Sequence, residues 1–337
     1  MARKWAPGDM SGGDGRPLVS WRVSWGDATA YDRVHDADGV AMTTGNGAAE
    51  VIAIFGPTAS GKSMVAEAVA DELGTEVVSA DAMQVYRGLP ILTNQPGRPT
   101  RLVAIRSLAE EMSVGAYASL AHEAIDELVA TAGSVVVAGG TGLYLRAALG
   151  DLDVPPPAAP AVRARVEREV DEDRDAAHER LASLDPGAAG AVHPNDRRRL
   201  VRALELADEG GSLTAGQDRL WSAETRRPSV VVGLDLSHEE LERRIRLRAE
   251  EMFERGVVDE VRAALDGQVS RTAEKTLGLR EIAELEPRQA LARIVIRTRR
   301  YAAYQRKWMR RIPGVVLVDA DRDPATVARD VIALSGG

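Results

Sequence analysis

The chain has 337 residues, of which 45% are hydrophobic and 28% charged, a balance typical of a protein with one large or two medium globular domains. Its zero cysteines exclude disulfides, thiolate zinc sites and a cysteine nucleophile. The sequence has neither an apolar run long enough for a membrane helix nor an N-terminal signal region, so we predict a cytoplasmic protein. The net charge of −8 disfavours a nucleic-acid partner unless basic residues cluster locally.

Residues 1–49 are rich in glycine, aspartate and basic residues and show neither a helical nor a strand period. Such a segment buries too little apolar surface to offset the entropy of ordering, so we predict a disordered N-terminal extension. Met42 opens the stretch that leads directly into the first predicted strand. We therefore hypothesise that translation begins at Met42.

A phosphate-binding loop follows the first predicted strand. The apolar run VIAIF at 51–55 precedes GPTASGKS at 56–63, and residues 64–73 repeat apolar positions at helical spacing. In this context the loop turns backbone N–H groups toward an anion, Lys62 adds a positive charge, and Ser63 can bind Mg²⁺. An ordinary glycine turn is the alternative, but the flanking strand and helix favour a diphosphate or polyphosphate ligand. The predicted binding residues are Gly56, Pro57, Thr58, Ala59, Ser60, Gly61, Lys62 and Ser63.

Strands and helices alternate along the rest of the chain, which predicts an α/β fold with a parallel sheet. Four prolines within 151–160 interrupt this alternation, and the residues after them have helical spacing without a strand signal. We predict a P-loop NTPase-like core flanked by helices, split into 50–153 and 225–337 by a helical insertion domain at 154–224. The later strands are predicted at 76–81, 134–140, 230–236 and 315–321, and the core helices at 115–132, 238–265 and 287–311.

Two polar residues lie at the ends of predicted strands. Asp81 ends the second strand and Thr141 follows the third, and the carboxyl ends of strands in doubly wound sheets face the ligand crevice. A carboxylate there could bind Mg²⁺ or take a proton, and the glycines around Thr141 allow the backbone to approach a ligand closely. The alternatives are structural, because Asp81 could cap whatever follows it and Thr141 could cap a glycine turn.

The sequence lacks the acids of a nucleotide hydrolase. Where a Walker B acid would follow the third strand, the chain has Ala138-Gly139-Gly140, and no Asn-Lys-x-Asp guanine motif occurs. Asp235 could replace the missing acid, but an aspartate that precedes a helix is more often structural. The five histidines have no metal-ligand spacing, so we propose none as a ligand.

Basic residues cluster at 196–202, 242–248 and 293–311. The last segment contains eight Arg or Lys and no acid, with three aromatic residues interleaved. Such a segment suits RNA phosphates and stacked bases. A charge run is more often a solvated helix face, so these clusters alone leave the question of a nucleic-acid partner open.

Six motifs occur in order along about residues 51–311: GPTASGKS, SADAMQVYRG, GGTGLY, HPNDRRRLVRALE, RAEEMFERGVVDEV and TRRYAAYQRKW. Together they resemble the tRNA dimethylallyltransferase family. The resemblance implies that the loop holds the diphosphate of dimethylallyl diphosphate rather than a nucleotide. It also implies transfer of the dimethylallyl group to N6 of the adenosine immediately 3′ of the anticodon, tRNA position 37, in tRNAs that read codons beginning with U.

The resemblance also implies roles for individual residues. Asp81 would accept the N6 proton, Thr141 would orient the acceptor or the base, and Arg248 would help Lys62 and Ser63 to stabilise the diphosphate through Mg²⁺ and direct contacts. The implied cofactor is Mg²⁺, and the implied partner is the tRNA anticodon stem-loop, whose adenosine would flip out of its stack. We expect a monomer. The implied tRNA contacts are Asp81, Ala82, Met83, Gln84, Thr141, Arg163, Arg198, Arg199, Leu200, Val201 and Arg202.

Two other functions stay open on the residues alone. A small-molecule P-loop kinase would need nucleoside triphosphate turnover and a lid that holds the base, whereas a non-catalytic module would bind RNA or nucleotide without forming product. Departures from the family pattern at Thr100-Arg101 and Ala303-Tyr304 concern local tRNA contacts rather than the central chemistry.

Overall fold

The structure is a computed structural model that describes residues 48–152, 155, 157–214 and 219–336. The hypothesis about Met42 and all but the last two residues of the predicted disordered extension lie outside the described residues. The described strands are β1 Val51–Phe55, β2 Val77–Ser79, β3 Val135–Gly139, β4 Ser229–Asp235 and β5 Val316–Asp319. They form one parallel sheet in the order β2-β3-β1-β4-β5, which confirms the predicted fold class.

β1 lies at the centre of the sheet and is buried on both faces. Val51, Ala53 and Phe55 pack into the hydrophobic cluster on one face, whereas Ile52 and Ile54 pack into the cluster on the other. All five are at most 2% exposed, as expected for a parallel strand whose side chains alternate between two covered faces. Because both neighbouring strands run parallel to β1, the phosphate-binding loop emerges at the middle of the carboxyl edge.

Helices cover both faces of the sheet, with α1 and α12 on one face and α2 and α3 on the other. One predicted helix, at 238–265, is wrong as a single element, because Gly256 has a φ of 89° and separates α8 from α9. None of the described helices combines the length and apolar character that crossing a membrane requires. The described helices are α1 Lys62–Leu73, α2 Val114–Ala132, α3 Gly142–Leu149, α4 Pro160–Glu172, α5 Arg174–Leu184, α6 Pro186–Ala191, α7 Arg197–Asp208, α8 His238–Glu254, α9 Val257–Leu265, α10 Leu279–Glu284, α11 Pro287–Met309 and α12 Pro324–Leu334.

Helices α4 to α7 of the insertion share a hydrophobic cluster of their own. Val166, Val170, Leu181 and Leu204 are each at most 1% exposed within it. Aspartate side chains cap α5, α6 and α7 by accepting hydrogen bonds from backbone N–H groups of the first turn. The insertion domain at 154–224 stays a prediction.

Candidate active site

The phosphate-binding loop leaves β1 and enters α1 at Lys62. Gly61 has a φ of 86°, a left-handed conformation that favours glycine, and Ala59 adopts a φ of 65°. A Cβ on Gly56 would lie 2.7 Å from a side-chain oxygen of the loop, so this position also requires glycine. The Lys62 ammonium donates a hydrogen bond to the Pro57 carbonyl at 2.7 Å. The loop is therefore compact, with the lysine folded back over it.

Gln305 of α11 connects this loop to the end of β3. Its Oε1 accepts a hydrogen bond from the Thr58 backbone N–H at 2.8 Å, and its Nε2 donates to the Gly140 carbonyl at 2.8 Å. A Cβ on Gly140 would lie 2.2 Å from this Nε2, so glycine is required there. Gln305 is 2% exposed. No role for Gln305 was predicted from the sequence, although it lies in the motif TRRYAAYQRKW, one of the six on which the family resemblance rests.

A cavity of about 560 Å³ opens beside the loop at the carboxyl edge of the sheet. Asp81 lines it together with the loop, in agreement with the prediction that strand ends bring the two together. Tyr301 of α11 lines it as well. The predicted site residues in its wall are Thr58, Ala59, Ser60, Gly61, Lys62, Ser63, Asp81, Met83, Gln84 and Arg248. The described wall does not include Gly56, Pro57, Ala82, Thr141 or the predicted residues of the insertion.

Two cations share this cavity. Burial lowers the pKa of Lys62 to about 8, although the Asp81 carboxylate opposes the shift, and the Arg248 guanidinium lowers it further. Burial also lowers the pKa of Arg248, whose Nη1 donates to the Thr58 Oγ1 at 2.7 Å. Two desolvated cations on one wall favour a multiply charged anion between them. The electrostatics of the cavity therefore suit a diphosphate.

Asp81 follows β2 in the cavity wall. Its Oδ1 accepts a hydrogen bond from the Met83 backbone N–H at 2.9 Å, as in an Asx turn. Asp81 does not cap a helix, because turns follow it and the next helix, α2, begins at Val114. A carboxylate has several acceptor sites, so this turn is compatible with a second role for Asp81 in the cavity.

Thr141 lies behind the cavity wall rather than in it. Its Oγ1 accepts a hydrogen bond from the Ala82 backbone N–H at 3.1 Å, next to Asp81, and its side chain also faces Tyr301. Burial and then the Asp81 charge raise the pKa of Tyr301, so the phenol keeps its proton. Tyr301 is one of the three aromatic residues in the basic segment at 293–311, for which only base stacking was predicted. Its place near Asp81 had no local sequence signal, because α11 comes from a distant part of the chain.

Six of the residues predicted to contact tRNA lie in the insertion, and none of them lines the cavity. Arg163 and Arg202 both pair with the buried carboxylate of Glu205. Leu200 and Val201 are 0% and 3% exposed within the cluster of the insertion. Their side chains therefore face the interior of the insertion, and a contact of these two residues with tRNA stays a prediction. The four arginines predicted to contact tRNA in this domain are Arg163, Arg198, Arg199 and Arg202.

Acids from neighbouring elements offset part of the basic segment at 293–311. The lack of acids within the segment therefore does not make it an unbroken strip for phosphates. Asp235 is the acid that pairs with Arg306. Its side chain is therefore structural, as predicted, rather than a replacement for a Walker B acid. The pairs are Arg297 with Glu281, Arg299 with Glu242 at 3.4 Å, and Arg306 with Asp235 at 3.0 Å.

A parallel doubly wound sheet with a lysine-covered phosphate loop defines a P-loop protein. The family model described as IPP transferase matches residues 84–312, and the one described as Isopentenyl transferase matches residues 49–106. The chain belongs to the IPP transferase family. It is an enzyme, a prenyltransferase.

Curated relatives and solved structures are similar over most of the chain. A tRNA dimethylallyltransferase of Streptomyces coelicolor is 40% identical, covering 81% of this chain and 91% of that protein. A tRNA dimethylallyltransferase of Anaeromyxobacter dehalogenans is 38% identical, and the match covers 83% of this chain and 98% of that protein. The structure of a tRNA isopentenylpyrophosphate transferase from Bacillus halodurans has a TM-score of 0.61 at 30% identity, covering 85% and 97%. A eukaryotic dimethylallyltransferase acting on tRNA has a TM-score of 0.67 at 25% identity, covering 80% and 73%.

Proposed function

We propose that the enzyme transfers a dimethylallyl group from dimethylallyl diphosphate to N6 of the adenosine immediately 3′ of the anticodon, tRNA position 37. The acceptors are tRNAs that read codons beginning with U, as the resemblance of its six motifs implies. The observation that carries this proposal is the cavity, in which a two-cation anion site lies beside a carboxylate. The names of the similar proteins, tRNA dimethylallyltransferases, support it.

The anion end of the cavity would hold the diphosphate. The loop amides, Lys62 and Arg248 would stabilise the negative charge that grows on the diphosphate as its bond to the allyl carbon breaks. Among the described residues, no group of three or more His, Asp or Glu side chains is placed to hold a metal ion by itself. The Ser63 hydroxyl is an oxygen donor in the cavity wall, which fits Mg²⁺ shared with diphosphate oxygens and water. Bound Mg²⁺ would supply additional charge neutralisation.

The other end would receive the adenine. The N6 nitrogen attacks the allyl carbon, the bond from that carbon to the diphosphate oxygen breaks, and the N6 proton passes to the Asp81 carboxylate. Thr141 fixes the backbone beside Asp81, because its Oγ1 accepts a hydrogen bond from the Ala82 N–H. We extend the proposal to Tyr301, as a hydrogen-bonding wall residue near the reacting atoms.

A small-molecule kinase is the weaker candidate. No Walker B acid follows β3, and the side chain of Asp235 is paired with Arg306. The family assignment also favours prenyl transfer. We further propose that the enzyme is a cytoplasmic monomer that meets tRNA through the anticodon stem-loop.

One assay tests the function directly. The protein is incubated with Mg²⁺, dimethylallyl diphosphate and undermodified bacterial tRNA whose anticodon ends in A, and the tRNA is then digested to nucleosides. We expect N6-(dimethylallyl)adenosine, and none with a tRNA whose anticodon ends in another base. No product from the first tRNA would refute the proposal, and turnover of ATP on a small substrate would favour the kinase.

A further inference from the structure

A chain of ion pairs within the insertion is centred on Glu205 of α7. The Glu205 side chain is 1% exposed, and its Oε2 lies 3.1 Å from Nη1 of Arg202. Its Oε1 faces Nη1 of Arg163, on α4, at 3.6 Å and has no hydrogen bond within the described residues. Burying a carboxylate is costly unless cations compensate its charge. One buried acid thus holds two arginines that come from two different helices.

The outer sides of the same two arginines remain at the surface. The side chain of Arg163 is 37% exposed, with its Nε 3.2 Å from Glu167. The side chain of Arg202 is 25% exposed, and its Nη2 donates to the Pro155 carbonyl at 2.8 Å. A guanidinium has five N–H donors, so each arginine can contact an acid on one side and a phosphate on the other. This arrangement presents two fixed cations to a polyanion.

We propose that Glu205 is a positioning residue that presents Arg163 and Arg202 as a pair to the phosphates of the tRNA anticodon stem-loop. The inference rests on the proposed function, because the two arginines are tRNA contacts only within it. Side chains that are already oriented before binding lose less conformational entropy when the RNA binds. Glu205 holds Arg163 less closely than Arg202, since the 3.6 Å distance exceeds a hydrogen bond, but Glu167 binds the Nε of the same guanidinium at 3.2 Å.

The matched comparison is Glu205→Gln against Asp208→Asn. Asp208 lies on the same helix, is mostly buried, and also pairs with two arginines, Arg165 and Arg180, which are not predicted tRNA contacts. Binding of a fluorescent anticodon stem-loop RNA to the full-length protein is measured by anisotropy, and thermal unfolding is recorded alongside. We expect about tenfold weaker binding for Glu205→Gln, the size of a lost charged hydrogen bond, and no change for Asp208→Asn.

A double-mutant cycle separates positioning from general stability. In a background that carries both Arg163→Ala and Arg202→Ala, Glu205→Gln should lose most of its effect on RNA binding, and the KM for dimethylallyl diphosphate should not change. Additive effects, equal losses for the two acids, or normal binding by Glu205→Gln would each overturn the proposal. If Glu205→Gln does not fold, Glu205→Met replaces it in the same comparison.

RNA binding is measured without prenyl transfer, so the experiments distinguish a failure of the proposed function from a failure of the role of Glu205. A wild-type protein that binds the stem-loop but forms no prenyladenosine refutes the function alone. A wild-type protein that does not bind the RNA overturns the role of Glu205 as well.

Discussion

Asp81 makes a structural hydrogen bond and also lines the cavity together with Lys62. The variant Asp81→Asn separates its structural role from its proposed role as a base. Asparagine keeps an acceptor for the Met83 N–H but not the basicity. We expect kcat to fall roughly 10²- to 10⁴-fold while both substrates bind normally, because a positioned base acts mainly in the transition state. Steady-state kinetics with each substrate varied measure this. A near-normal kcat would show that Asp81 only shapes the turn, and rescue by extra Mg²⁺ would make it a metal ligand.

Lys62 makes diphosphate binding depend on pH. Because its pKa in the free site is about 8, the ammonium is charged below that pH and increasingly neutral above it. A bound diphosphate favours the charged form, so binding takes up a proton above pH 8 and the affinity falls as pH rises. Calorimetry with EDTA, in buffers of different ionisation enthalpy, measures this uptake. Lys62→Arg should bind with an affinity that stays flat from pH 7 to 9, and a falling affinity in that variant would contradict the assignment to Lys62.

Residue positions could be predicted from the sequence only where local structure decides them. Asp81 was placed beside the phosphate loop because both follow parallel strands, and the carboxyl ends of such strands meet at one edge. The position of Tyr301 depends on how α11 crosses that edge, and no local sequence pattern predicts this crossing. Leu200 and Val201 lie inside a basic motif, so resemblance marked them as contacts although helical geometry turns them toward the core.

At the scale of elements, the buried strands were the most predictable part of the chain. β1, β3 and β4 are β-branched runs, and the predicted bounds agree with the structure to within a residue at each end. The break at Gly256 was missed because the apolar spacing continues on both sides of it. No element was predicted after residue 321, although Asp323 caps α12 and Pro324 occupies its first turn. That pair is a recognised helix start and was the available signal.

Gln305 is the point where one helix supports the phosphate loop, and Gln305→Leu tests that support. The change leaves the Thr58 N–H and the Gly140 carbonyl unpaired, at a cost of about 1–3 kcal/mol for each buried group. We expect a lower Tm and about a tenfold higher KM for dimethylallyl diphosphate, because the loop loses its fixed shape. Thermal unfolding and steady-state kinetics measure the two effects.

The control for this change is Gln95→Leu. The Gln95 amide donates to the Tyr86 carbonyl at 2.7 Å, and Gln95 does not line the cavity. The variant Gln95→Leu should have a lower Tm but an unchanged KM for dimethylallyl diphosphate. Equal effects of the two variants on that KM would show that Gln305 acts only through overall stability.

At the scale of the whole molecule, polar contacts and the packing of Trp221 against Trp308 at 4.7 Å join the insertion to the core. Glu167 of α4 pairs with Arg271 of the core at 2.7 Å. Where the chain returns to the core, the buried guanidinium of Arg146 donates to the carbonyls of Leu220 and Ser222 at 2.8 and 2.7 Å. The hydrophobic cluster of the insertion lies within its own helices. This division suggests that diphosphate binding and RNA binding can be separated by removing one part.

Replacing residues 160–208 with a flexible linker tests that separation. Arg165, in the second turn of α4, pairs with Asp208, the last residue of α7, at 2.6 Å, so about ten Gly or Ser residues, which span about 17 Å, can join Ala159 to Glu209. Dimethylallyl diphosphate should still bind, since no described residue of the insertion lines the cavity. RNA binding and prenyl transfer should be lost with the insertion's arginines. Calorimetry and anisotropy measure the two affinities, and circular dichroism checks the remaining fold. Undiminished RNA affinity in a folded deletion variant would place the tRNA contacts on the core instead.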